Sequence, residues 1–254
     1  MPLLRHSLRL RGMPVPALLA ALPDALLDKL LPSSCVLCGA LGREPVCPAC
    51  SQAHARDGHV RCPCCANPVG SQDGARRCGA CLAAPPAFDA TLAACDYDAP
   101  VDRLVLQLKF GSRLALAPWM AGRLRDAVVS RNPDLPDLLC PVPLGPRRLV
   151  ERGYNQALEL ARPLSSALGI ALAPQLLERR VETAAQSGVA PGERRRNVRG
   201  AFALAGEQGV TGRHVGVVDD VMTSGHTLDE LAGVLKRAGA ARVTNLVFAR
   251  TPPH

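Results

Sequence analysis

Val215-Gly216-Val217-Val218-Asp219-Asp220-Val221-Met222-Thr223-Ser224-Gly225-His226-Thr227 is the stretch that decides the fold of this chain. Val215–Val218 is fully apolar and short, the pattern of a strand buried on both faces. The strand delivers two adjacent acids at its C-terminal end. A loop of Thr, Ser, Gly and Thr follows, and then Leu228, Leu231, Ala232 and Leu235 recur at helical spacing. Strand, loop and helix N-terminus make an anion site. Backbone N–H groups and the positive end of the helix dipole point at a phosphate, the hydroxyls add donors, and Gly225 lets the backbone approach closely. Two carboxylates beside such a cradle are costly unless they meet hydroxyls or a cation. A ribose 5-phosphate with free 2′ and 3′ hydroxyls and Mg²⁺ nearby satisfies both. A Gly-x4-Gly-Lys-Ser/Thr phosphate loop is absent, and so is a Gly-x-Gly-x-x-Gly dinucleotide fingerprint after a strand. A capped turn with solvated acids would account for one Asp and one Thr, but poorly for the whole run.

Outward from this stretch the pattern repeats. Leu92–Tyr97, Leu138–Val142 and Val243–Phe248 read as strands, and Val101–Lys109, Leu114–Val129 and Asn155–Leu168 as helices. Strands alternating with helices predict an α/β fold with a parallel sheet. Cys140–Gly153, with three prolines, and the polar Gln186–Gly200 read as long functional loops. Pro85 and Pro86 mark a boundary. The expected division is an N-terminal segment over residues 1–31 with a short helix at Ala25–Leu31, a cysteine module over 32–84, and an α/β domain over 85–254.

Nine of the eleven cysteines fall between Cys35 and Cys81, and eight of these form four pairs: Cys35-x2-Cys38, Cys47-x2-Cys50, Cys62-x2-Cys65 and Cys78-x2-Cys81. A two-residue spacer turns both sulfurs toward one ion, and two such pairs complete a tetrahedral Zn²⁺ shell. Consecutive pairs predict two structural zinc sites, Cys35/Cys38/Cys47/Cys50 and Cys62/Cys65/Cys78/Cys81. Gly39 and Gly79 suit a tight turn after a cysteine. Cys64 sits beside Cys65, so either sulfur fits as a ligand at that position. Disulfides do not suit a cytosolic chain, and an iron–sulfur cluster suits two closed shells less well than zinc. A zinc deaminase needs His-x-Glu ahead of its cysteines, and His54-Ala55-Arg56 lacks the acid.

Of 254 residues, 48% are hydrophobic but only 3% aromatic, so the core must be built from Ala, Leu and Val. The net charge of +8 favours anionic partners. Only three of the 30 basic residues are Lys, a bias that a GC-rich genome would also produce. No apolar run reaches the ~18 residues that span a bilayer. Pro14, Pro16 and Pro23 break up the apolar stretch near Met1, which argues against a signal peptide and for a cytoplasmic location.

Asp-Asp-x-x-Thr-Ser-Gly-x-Thr after an apolar strand resembles the phosphoribosyl pyrophosphate (PRPP) motif of type I phosphoribosyltransferases. That motif, the zinc pairs, Pro141-Val142-Pro143-Leu144, Glu151-Arg152-Gly153-Tyr154-Asn155-Gln156 and the Gln186…Arg196-Asn197 stretch together resemble the ComF family. That family includes ComFC- and GntX-like proteins tied to DNA uptake and competence. The resemblance runs from about Leu27 to Thr251. It implies a type I phosphoribosyltransferase-like domain behind a double zinc ribbon. Asp219 and Asp220, the candidate catalytic acids, would hold the ribose hydroxyls. Val221, Met222, Thr223, Ser224, Gly225, His226 and Thr227 would wrap the 5-phosphate. Pro143, Leu144, Arg147 and Arg152 would lie near pyrophosphate. Gln186–Asn197 would form a mobile lid from which Arg194, Arg195 and Arg196 reach the pyrophosphate oxygens. His226 stands where a small residue is more usual, which brings a titratable ring to the loop. The implied chemistry is displacement of pyrophosphate from C1 through an oxocarbenium-like state, with Mg²⁺ and Arg charge stabilising the leaving group. The other implied reading is a non-catalytic factor of the DNA-uptake machinery that binds single-stranded DNA or, through its ribbons, a partner protein. Single-stranded DNA binding would be strongly salt-dependent, although few aromatics are present to stack on bases.

Overall fold

The computed structural model describes residues 33–55, 58–71, 76–131, 134–181, 200–205 and 209–252. The predicted helix at Ala25–Leu31 and the predicted lid at Gln186–Asn197 lie outside the described residues. Five parallel strands form the main sheet: β3 (Ala90–Asp96), β4 (Leu138–Pro141), β5 (Ala171–Leu172), β8 (His214–Met222) and β9 (Arg242–Arg250), in the order β3-β9-β8-β4-β5. β8 is central and extends four residues past the apolar Val215–Val218 predicted for it. It pairs with β4 from Val215 to Val218 and with β9 through Met222, so the ladder carries Asp219 and Asp220 inside the strand. Gly216 is required by packing. A Cβ there would lie 2.5 Å from Leu139 Cδ2 and 2.9 Å from Pro136 Cγ.

Helices cover both faces, as parallel sheets demand. On one face lie α3 (Val101–Phe110), α4 (Leu116–Arg131) and α6 (Gln156–Leu168). The α4 helix buries Leu116, Ala117, Met120, Ala121, Leu124, Ala127 and Val128, the alanines allowing close approach to its neighbours. The α6 helix starts on Asn155, whose Oδ1 accepts from the Ala157 N–H at 3.0 Å, and stops at Gly169 in the left-handed conformation. On the other face lie α7 (His226–Arg237) and a hairpin of β6 (Leu177–Arg179) with β7 (Phe202–Leu204). The core is built as the composition required, from Leu, Val and Ala, with Trp119 packed edge-on against Phe248 at 6.1 Å.

Two elements depart from the sequence expectation. Cys140–Gly153 is not all loop, because Pro146 opens a helix, α5 (Pro146–Arg152), at a position where its missing N–H costs nothing. The β6–β7 hairpin has no counterpart in that expectation, because its three-residue strands are too short to show a period; it flanks the predicted loop Gln186–Gly200, which apart from Gly200 lies outside the described residues.

The cysteine module begins with the small ladder β1 (Ser33–Ser34) and β2 (Leu41–Gly42) and includes α1 (Pro48–His54) and α2 (Gly79–Ala83). It packs directly on the sheet domain. Cys62, Cys64, Cys65 and Cys81 join the core on the α7 face, and Cys35 and Val46 join the core on the α4 face.

Candidate functional site

The connections explain where a ligand fits. From β4 the chain runs through α5 and α6 to β5 on one side. From β8 it runs through α7 to β9 on the other. Neighbouring strands whose connections depart in opposite directions leave a crevice beyond their C-terminal ends. That crevice is present as a cleft of about 730 Å³, lined by Val142, Pro143 and Leu144 after β4 and by Asp219 through Leu228 at and beyond the end of β8. Tyr97, Leu106, Lys109, Phe110, Arg148, Arg152 and Arg179 complete the wall.

The structure therefore brings Asp219 through Thr227 together with Pro143, Leu144 and Arg152. Arg147 stays outside, exposed and paired with Glu151 at 2.8 Å, while the adjacent Arg148 faces the cleft. Gln186, Arg194, Arg195 and Arg196 lie outside the described residues. Gly225 caps α7 at φ +81°, and a Cβ there would lie 2.6 Å from Met222 Cε, so glycine is needed for both reasons. The first turn of a helix points its N–H groups past its N-terminus, and that end of α7 lines the cleft. Ser224 Oγ and His226 Nδ1 are 3.2 Å apart at its lip.

The two acids differ. Asp220 is buried and pairs with Lys109 Nζ at 2.7 Å, a cation supplied by the C-terminal turn of α3. Burial disfavours the Lys109 ammonium, but the attraction of Asp220 outweighs it and raises the lysine above its ordinary value. Among the described residues Asp219 has no such ion pair of its own. Enclosure, and then the neighbouring Asp220 charge, push its carboxyl well above the usual range. The cleft thus holds one neutralised acid and one that charges only at a cost.

Several cleft residues escaped the sequence reading. Lys109, Arg148 and Arg179 carry no motif. Arg152 lies over the Phe110 ring at 5.2 Å and donates to Gln156 Oε1. Tyr154 and Asn155 have supporting roles. Tyr154 donates its hydroxyl to the Leu108 carbonyl, and Asn155 Nδ2 donates to the Val142 carbonyl at 3.0 Å, tying α6 to the loop after β4.

The cysteines form two clusters, Cys35/Cys38/Cys47/Cys50 and Cys62/Cys65/Cys78/Cys81, with the four sulfurs of each within 4.8 Å of one another. A Zn–S bond of about 2.3 Å gives tetrahedral S···S edges of about 3.8 Å. The Cys38–Cys47 and Cys65–Cys78 sulfur pairs lie at 3.7 and 3.6 Å. These are zinc-binding clusters, each built from one turn and one helix start, since Cys47 caps α1 and Cys78 caps α2. The turn residue after Cys38 is Gly39 at φ +75°, as expected, but its counterpart after Cys65 is Ala66 at φ +56°. Gly79 instead opens α2. Burial opposes ionisation of Cys35 and Cys62, yet backbone N–H groups aimed at their sulfurs bring them down to about 6 and about 7. Hydrogen bonding to Cys38, with enclosure and the other sulfurs behind it, pushes Cys50 up to about 12. A divalent cation relieves that crowding.

At the 64/65 position the structure brings the sulfur of Cys65 into the four-sulfur group. Cys64 is buried beside the cluster but outside its four-sulfur set, with its sulfur 3.9 Å from the Phe88 carbonyl. A Cys64→Ser protein is expected to carry as much zinc as wild type by metal analysis, whereas Cys65→Ser should lose one ion per chain. The reverse pattern would move the ligand to Cys64.

Among the described residues no helix is long and apolar enough to cross a membrane. The double zinc ribbon domain family matches residues 26–82, and the phosphoribosyl transferase domain family matches residues 155–253. The DNA utilization protein YhgH of Salmonella typhi is 38% identical over 228 residues, which is 87% of this chain and 98% of that one. Competence protein F of Haemophilus influenzae is 34% identical over 181 residues, 69% of this chain and 79% of its own. The purine phosphoribosyltransferase structure from Pyrococcus horikoshii aligns with 52% of this chain and 74% of its own at 22% identity and a TM-score of 0.34, a likeness too weak to bear on function. Relatives this similar, aligned over 98% and 79% of their own length, together with the two domain matches, place the chain in the ComF family.

Proposed function

We propose that the cleft binds PRPP or ribose 5-phosphate together with Mg²⁺, and that the chain is a phosphoribosyltransferase. The observation that carries this reading is the pairing of Asp219 and Asp220 with the Thr223–Thr227 loop at the sheet's switch point. The loop and the first turn of α7 would take the 5-phosphate. Asp219, pushed toward its neutral form without a ligand, would recover its charge against the ribose hydroxyls or Mg²⁺. Lys109 would keep Asp220 fixed beneath it. Arg148, Arg152 and Arg179 would face the pyrophosphate, their charge favouring departure from C1. In that step the C1–O bond breaks with its electron pair on pyrophosphate, and a lone pair of the acceptor forms the new bond to C1. Mg²⁺, when bound, would neutralise pyrophosphate oxygens.

Calorimetric titration of the zinc-loaded protein with PRPP and Mg²⁺ tests the reading. Micromolar binding is expected, followed by pyrophosphate release when acceptors are screened. A folded, zinc-replete protein that takes up no heat with PRPP would sink it.

A second reading, a non-catalytic factor that binds single-stranded DNA or a partner protein, draws on the cleft's outer rim. Phe110 is 73% exposed there, beside Arg148 and Arg152. The names of the relatives, a DNA utilization protein and a competence protein, point the same way. Fluorescence anisotropy of a labelled oligonucleotide would separate the two, because DNA binding should weaken steeply with salt.

A further inference from the structure

Arg250 ends β9 and is buried, yet it touches no carboxylate in any contact the structure gives. Its Nε donates to the Cys65 carbonyl at 2.9 Å. Its Nη1 faces the carbonyls of Met222 at 3.0 Å, Thr223 at 2.5 Å and Thr251 at 2.6 Å. One planar group therefore spans a ligand-bearing turn of the second cysteine cluster, the last residue of β8 and the first residue of the phosphate loop. The same cluster reaches the loop by packing. Cys64, the neighbour of Cys65, has its sulfur 3.9 Å from the Phe88 carbonyl, and the Phe88 ring edge sits 4.0 Å from where a Gly225 Cβ would be. It also holds the neighbouring strand end, where buried Arg61 pairs with Asp96 at 2.9 Å. The first cluster instead packs into the core on the α4 face, away from the loop's own core.

We infer that Arg250 is a positioning residue that makes the phosphate loop and the second zinc cluster one mechanical unit. Zinc at Cys62/Cys65/Cys78/Cys81 fixes the Cys65 carbonyl, Arg250 transfers that position to Met222 and Thr223, and the loop is held open for its anion. The inference rests on the phosphate site proposed above. A lysine retains the charge but not the fork that reaches two separated carbonyl groups. Coupling between two binding sites is reciprocal, so a ligand in the loop must tighten zinc at the second cluster and leave the first alone.

The experiment is an equilibrium competition for zinc on the full chain against a zinc-selective chelator, with and without PRPP and Mg²⁺. Occupancy of each cluster is read by cysteine alkylation and peptide mass spectrometry, and PRPP binding is measured in parallel by calorimetry. PRPP is expected to shift the free-zinc midpoint for Cys62, Cys65, Cys78 and Cys81 by about fivefold, with the Cys35–Cys50 set unmoved. In Arg250→Lys, the shift should vanish while both zincs remain bound in excess metal. PRPP that binds to wild type without moving the second cluster overturns the inference and leaves the phosphate site standing. An equal shift of both clusters, or a full shift in Arg250→Lys, also overturns it. Absence of PRPP binding to wild type removes the site and the inference together. Should Arg250→Lys fail to fold, the wild-type comparison decides alone.

Discussion

An Asp219→Asn protein is expected to be more stable than wild type at neutral pH and to bind PRPP about two orders of magnitude more weakly. The two effects have one origin. In the cleft the Asp219 carboxylate is enclosed and faces the Asp220 charge, so its pKa is raised from 3.8. Below that value folded and unfolded chains both hold the proton. As pH rises past 3.8 the unfolded chain releases it first, and wild-type stability falls until the folded carboxyl also ionises. Asparagine has no proton to lose, so the stability gap opens across that window and stays constant above it. With ligand bound the same carboxylate becomes an acceptor for ribose hydroxyls. Loss of a hydrogen bond to a charged group costs up to about 3 kcal/mol, which is the expected hundredfold. Denaturant midpoints across pH and calorimetry with PRPP check both halves. Asp220→Asn should behave in the opposite way, because it strands Lys109 without its partner and costs on the order of 3–5 kcal/mol. Equal destabilisation by the two variants would refute this account of the pair.

Removing zinc should have a larger effect still. Structural zinc sites of four protein ligands supply about 10–16 kcal/mol of apparent binding energy. The segments around each cluster, the two-residue strands β1 and β2 and the short α1 and α2, contain too little core to persist without it. The damage should spread into the sheet domain, because Cys62, Cys65 and Cys81 are part of the core under α7 and Arg61 and Arg250 would lose fixed partners. Chelation is expected to release two zinc ions per chain and to lower the thermal midpoint by roughly 10–20 °C, as a loss of several kcal/mol would in a chain of this size. It should also expose eight cysteines to alkylation while buried Cys95 and Cys140 react only on global unfolding. A stripped chain that melts at the wild-type temperature would show the ribbons to be appended rather than integral.

The parts of this site that were legible in the sequence are those that are local in it. Val215 through Thr227 carries strand, acids, turn and helix start in thirteen consecutive residues, so its chemistry can be read without a fold. The cysteine pairs were legible for the same reason. Lys109 was not, because its partner Asp220 is over a hundred residues away and a lysine near a helix end is ordinary by itself. Arg250 was hidden similarly, with contacts 28 and 185 residues distant. Proline misdirected the reading of Cys140–Gly153, because Pro146 breaks a pattern when read as a loop residue and starts one when it sits at the first helical position. Gly79 looked like a turn glycine by position, while the turn fell to Ala66 at a backbone conformation that costs about 1–2 kcal/mol and leaves no trace in composition.

The strand order has a consequence for how the chain is made. β9 is the last described strand to leave the ribosome, yet it sits between β3 and β8 and bonds to both. Until residue 250 emerges, β3 has no neighbour in the sheet and one side of β8 stays unpaired. At about 5–20 residues per second, that interval lasts on the order of ten seconds or more after β3 appears. The cysteine turns need only short-range contacts and precede all of this, so metal capture can begin while the sheet waits for its keystone. A nascent chain stalled before β9 would carry loaded ribbons beside two open apolar strand edges, which is the form most prone to sticking to other chains.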